Sequence, residues 1–91
     1  MGKDKKIAVI VRDRQSEGLR MAVGLSVLNN VDIYIFDRKL EESDEILLNL
    51  GMAKEMRLGI YTNTQLNEGI EFIETKDIAK KLLKYDNILA Y

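Results

Sequence analysis

The chain has 91 residues and contains neither cysteine nor histidine, which removes thiolate nucleophiles, disulfides, cysteine-ligated metals and the commonest general base at neutral pH. With 46% hydrophobic and 32% charged residues it has the proportions of one globular domain over 1–91, whose modest core calls for tight packing or self-association. The net charge of −1 offers nucleic acid no general attraction, although residues 1–39 carry net +3 and residues 40–91 net −4.

The N-terminal Met-Gly-Lys-Asp-Lys-Lys is followed by five apolar residues, too few for a signal-peptide core. Met1-Gly2 resembles a myristoylation start, but Lys6 stands where Ser or Thr is needed. No apolar run approaches the ~20 residues that span a bilayer. A cytoplasmic protein without membrane contact is expected.

Ile7–Val11 is a continuous apolar run, as a parallel strand buried on both faces requires. A charged loop, 12–18, leads into a helix predicted from Gln15 to Leu28, with Leu19, Ala22, Val23, Ser26 and Val27 on its inner stripe. Ser16 or Asp13 is placed to cap it, and Asn29-Asn30 to end it in the left-handed conformation. Val31–Phe36 is the second strand. Ser43 is the expected cap of a helix running from Glu45 to about Lys54, which Gly51 interrupts or ends. Leu58–Tyr61 and Ile70–Ile73 are predicted strands. Thr75 is set to cap a last helix with Ile78, Ala79, Leu82 and Leu83 inside, and Asn87–Ala90 is a final strand.

The order β-α-β-α-β-β-α-β predicts a flavodoxin-like three-layer α/β sandwich with a mostly parallel five-stranded sheet, shortened at its C-terminal end. In the common strand order 2-1-3-4-5, the ligand crevice opens between strands one and three. Its loops offer Arg12, Arg14, Ser16, Tyr61, Thr62 and Asn63 as candidate ligand-binding residues. Guanidinium groups beside a helix N-terminus favour an anion. The plainer alternative is that they are solvated or pair with Asp13, Glu17 or Asp37.

Sharper motifs are missing. After the first strand there is only Gly18, so neither a phosphate P-loop nor a dinucleotide turn is present. A phospho-acceptor receiver would need paired acids there and an Asp after strand three, where Tyr61-Thr62-Asn63 stand instead. The acids Glu41, Glu42, Asp44 and Glu45 are read as partners of a helix dipole rather than a cation site. No metal or cofactor is expected, and Asp13 and Glu17 are the only candidates for carboxylate catalysis near the crevice. The second helix carries too many apolar residues for one stripe. Leu47, Leu48, Leu50, Met52 and Met56 are therefore candidate oligomer-interface residues.

In order and spacing these segments resemble the DsrE/DsrF-like family, which includes Tus sulfur-relay subunits and YchN-like proteins. The match rests on Ile7–Val11, the stretch Ser16–Leu25, strand Val31–Phe36, Leu50-Gly51 leading to Gly59-Ile60-Tyr61, Glu68-Gly69-Ile70, and Tyr85–Leu89. The resemblance implies a flavodoxin-like fold and assembly into trimers or hexamers. It also implies that catalytic members carry a persulfide on a cysteine just after the third strand. Here that window is Tyr61-Thr62-Asn63, and the sulfur-carrying role does not transfer. The leading expectation is a non-catalytic homo-oligomer with a structural or partner-binding role beside a sulfur-relay protein; the alternative is a small-molecule anion-binding domain.

Overall fold

The computed structural model describes residues 5–91; Met1–Asp4, where the leader and lipidation readings fall, lie outside the described residues. Five strands alternate with three helices: β1 Lys6–Val11, α1 Gln15–Leu25, β2 Asn30–Ile35, α2 Asp44–Glu55, β3 Gly59–Thr62, β4 Glu71–Phe72, α3 Thr75–Leu82 and β5 Asn87–Ala90. All pairings are parallel, and the sheet order is β4-β3-β2-β1-β5. The α/β sandwich is the expected one.

The strand order is not. β2 lies between β1 and β3, so the loops after β1 and β3 share no crevice. From β1 to β4 each step moves toward the same edge, whereas β5 returns to the far side of β1. Right-handed crossovers then place α1 and α2 on one face and α3 on the other, and the strand order reverses between β1 and β5.

Side-chain alternation sorts the core accordingly. Ile7, Val9, Val11, Val31, Ile33 and Ile35 pack with Leu19, Ala22, Ile46 and Ala53 from α1 and α2. The other face is thinner, with Ala8, Tyr34 and Ile78 at its centre and Ile10, Phe36, Tyr61, Leu82 and Tyr85 around them.

Several local expectations are corrected. α1 ends at Leu25, and Val27 and Leu28 are exposed. The N-cap of α1 is Arg14, without a side-chain cap. Asn29 closes α1 by donating its amide to the Leu25 carbonyl at 3.0 Å, while among the described residues the non-glycine residues with positive φ are Asp37 and Arg57. α2 runs straight through Gly51, and Ser43 caps it as expected, its hydroxyl accepting from the Ile46 N–H at 3.2 Å. The cap of α3 is Glu74, and Ala79 and Leu83 are exposed. β4 is only two residues long. Among the described residues no helix is long and apolar enough to cross a membrane.

Candidate functional site

Where β1 ends, the main-chain N–H groups of Arg12, Asp13 and Arg14 all donate to the Tyr91 main-chain oxygen, at 3.1, 3.0 and 3.1 Å. Three converging N–H groups form a concavity, and the Tyr91 oxygen fills it. Tyr91 in turn donates its N–H to the Ile10 carbonyl at 2.8 Å. Its ring lies under the Arg14 guanidinium, 5.2 Å from the centroid. Around this point opens a cleft of about 460 Å³ lined by Ile10, Arg12, Asp13, Arg14, Phe36, Ala90 and Tyr91. It sits at the β1–β5 reversal, where open α/β sheets take their ligands.

The charges in the cleft are paired only at the surface. Arg12 reaches Asp37 at 3.7 Å, Arg14 reaches Glu17 at 3.6 Å, and Arg38 reaches Asp13 at 3.3 Å, with every partner about half exposed. Such pairs contribute roughly 0–1 kcal/mol each, so a competing anion can exchange with them.

Of the six sequence-proposed ligand residues, only Arg12 and Arg14 line the cleft. The Ser16 hydroxyl donates to the Glu45 carboxylate and ties α1 to α2. Thr62 is buried and donates to the Ile35 carbonyl at 2.9 Å. Asn63 accepts from the Asp37 N–H at 2.7 Å and donates to the Asp37 carboxylate at 2.8 Å and the Thr75 hydroxyl at 2.9 Å. That last bond takes the hydroxyl expected to cap α3. Tyr61 lies on the α3 face, stacked on Tyr34 with centroids 5.2 Å apart. It folds back over Gly59, where an added Cβ would stand 2.9 Å from the Tyr61 hydroxyl. Asp37 is the link between the two loops, since it touches both Arg12 and Asn63.

Sequence reasoning missed the buried amides that hold these loops. Gln15 donates to the Arg12 and Lys39 carbonyls, each at 3.2 Å, and accepts from the Glu41 N–H at 2.8 Å. Asn67 accepts from the Leu40 N–H at 2.7 Å and donates to the Arg38 carbonyl at 2.9 Å and the Thr62 hydroxyl at 3.0 Å. Nothing in their spacing distinguishes them from solvated loop residues.

A second polar cluster was also missed. The Tyr85 hydroxyl donates to Asp32 at 2.5 Å and lies 2.7 Å from the Tyr34 hydroxyl. Because its hydrogen is committed to Asp32, Tyr34 is the donor between the two phenols. Burial, then the Asp32 bond, pushes Tyr85 far above the ordinary phenol range, and burial likewise raises Tyr34 and Tyr61. These phenols stay neutral near pH 7, and Tyr34 and Tyr85 serve as structural hydrogen-bonding groups rather than nucleophiles.

On the opposite side of the sheet, the interface candidates divide. Leu50 is partly buried and packs on the core. Leu47 and Leu48 are 51% and 64% exposed, and Met52 and Met56 are exposed as well. Leu47 and Leu50 form one wall of a groove of about 570 Å³ between α2 and the β3–β4 loop, faced by Leu66 and Ile70. Among the described residues no three acidic side chains cluster to hold a metal ion.

No protein-family model matches the sequence, and comparison with curated proteins finds no match. In fold the chain is similar to the crystal structure of the YchN protein from E. coli. The TM-score is 0.75 at 14% sequence identity, with 97% of this chain and 100% of that chain covered. The two chains therefore share their α/β fold.

Proposed function

We propose that this chain is a cysteine-free, DsrE-like subunit that works as a homo-oligomer, a trimer or hexamer, in the cytoplasm. Its role there is structural or partner-binding, beside a protein of intracellular sulfur relay. The observation that carries this reading is α2, on which Leu47, Leu48 and Met52, with Met56 just past its end, remain exposed around a helix that has already buried Ile46 and Ala53. A lone small domain gains nothing from leaving four large apolar side chains in water. The YchN-like fold supports the family context. The chain has no cysteine, so any sulfane sulfur resides on a partner.

Native mass spectrometry tests this directly. The expected result is a trimer or hexamer mass that does not change after incubation with a persulfide donor. A monomer at micromolar concentration, or a stable gain of one sulfur atom, refutes it.

A second reading is favoured by the β1–β5 cleft. The Arg12 and Arg14 guanidinium groups, both lining one cleft and held only by exposed ion pairs, make a small-molecule anion site there. Charge-assisted hydrogen bonds contribute roughly 1.5–3 kcal/mol each, so Arg14→Ala should weaken sulfate or acetate binding about ten- to a hundredfold in an NMR titration. Equal, unsaturable shifts in both proteins would remove this reading.

A further inference from the structure

The α2 groove and the exit of α3 are chemically complementary, yet they lie on opposite faces of the sheet. One copy cannot bring them together. The groove has an apolar floor of Leu40, Leu47, Leu50, Leu66 and Ile70. Its rim carries Glu41, Glu42 and Glu68 against Lys39 and Lys54, which leaves it acidic. None of the three glutamates forms an ion pair among the described residues.

The exit of α3 mirrors that pattern. Lys80, Lys81 and Lys84 are exposed and form no ion pair among the described residues, and Lys76 reaches only Glu74, at 3.7 Å. Between them stands Leu83, at 85% the most exposed large apolar side chain described.

We propose that a second copy of this chain seats its α3 exit in the α2 groove of its neighbour, with Leu83 on the apolar floor and the flanking lysines against Glu41, Glu42 and Glu68. The proposal rests on the oligomeric reading above and names the surfaces that the assembly uses. Each copy presents one knob and one groove on different patches, so the contact is heterologous and closes into a ring such as a trimer when the rotation allows. Opposed unpaired charges fix which end docks where, and they make association depend on salt.

Sedimentation of the intact protein at low and high salt tests the proposal through three variants. Leu83→Ser, a surface change, should weaken association roughly 10- to 100-fold, as loss of an interface anchor does. Lys80→Glu with Lys81→Glu should dissociate the assembly, and adding Glu41→Lys with Glu42→Lys in the same chain should restore it. If the fourfold variant does not fold, Leu83→Ser and the salt dependence decide alone. An assembly indifferent to Leu83→Ser, or to the lysine reversal, overturns this docking while leaving the oligomer intact. A wild-type monomer overturns the oligomeric reading itself.

Discussion

Truncating Asn67 to alanine should be among the most damaging single changes in the loops. Its buried amide joins three segments: the β2–α2 loop through the Leu40 N–H and the Arg38 carbonyl, β3 through the Thr62 hydroxyl, and its own β3–β4 loop. Each hydrogen bond contributes about 0.5–1.5 kcal/mol net, so losing three costs roughly 3 kcal/mol. The buried Leu40 N–H left behind keeps the figure from falling lower. For a domain of this size, whose total stability is on the order of 5–14 kcal/mol, that corresponds to a melting temperature lower by about 12–24 °C. The assay is urea unfolding of wild type, Asn67→Ala and Asn67→Asp. Asn67→Asp retains an acceptor for Leu40 but loses both donated bonds and buries a charge, so it should not rescue the loss. The slope with urea should stay unchanged, because the change acts on the folded state. A loss below about 0.5 kcal/mol would show that water replaces the amide, and the reasoning would be wrong.

Alkaline pH should unfold the protein through its tyrosines. Tyr34, Tyr61 and Tyr85 have folded-state pKa values above the ordinary 10.0. The unfolded chain therefore loses protons first, and stability falls progressively above about pH 10. Tyr85→Phe should flatten that fall, while ionisation of all three near 10 in the folded protein, followed by absorbance at 295 nm, would contradict it. Gly59→Ala should destabilise by about 1–3 kcal/mol in chemical denaturation, because the new Cβ collides with the Asp32 carboxylate and the Tyr61 ring. Gly24→Ala should instead stabilise by about 0.5–1 kcal/mol, since helix α1 leaves open space there; a loss in the same assay would show an unseen close approach.

The order of the elements and their three-layer stacking were legible in the local sequence. The unbroken run Ile7–Val11 is readable because a strand covered on both faces must be apolar at every position, and Ser43 is readable because a cap acts within its own turn. The apolar excess on α2 was visible for the same local reason. Four residues of that set are exposed and one packs inward, since a single helix cannot turn all of its sides to one sheet. The order of the strands was not legible. A run such as Leu58–Tyr61 looks alike whether it joins β1 or β2, and only the shared burial of α1 and α2 on one face decides between them. That decision moved the candidate crevice from β1–β3 to β1–β5, separated Thr62 and Asn63 from Arg12 and Arg14, and made Tyr91 part of the cleft. Nor could local sequence assign Ser16 and Thr75, whose hydroxyls left their expected helix caps for Glu45 and Asn63. A hydroxyl bonds whichever partner the packed chain brings nearest, and that partner is 29 residues away in one case and 12 in the other. Pairing over such distances is settled only when the whole sheet has formed, because no local pattern carries the coordinates of a remote side chain.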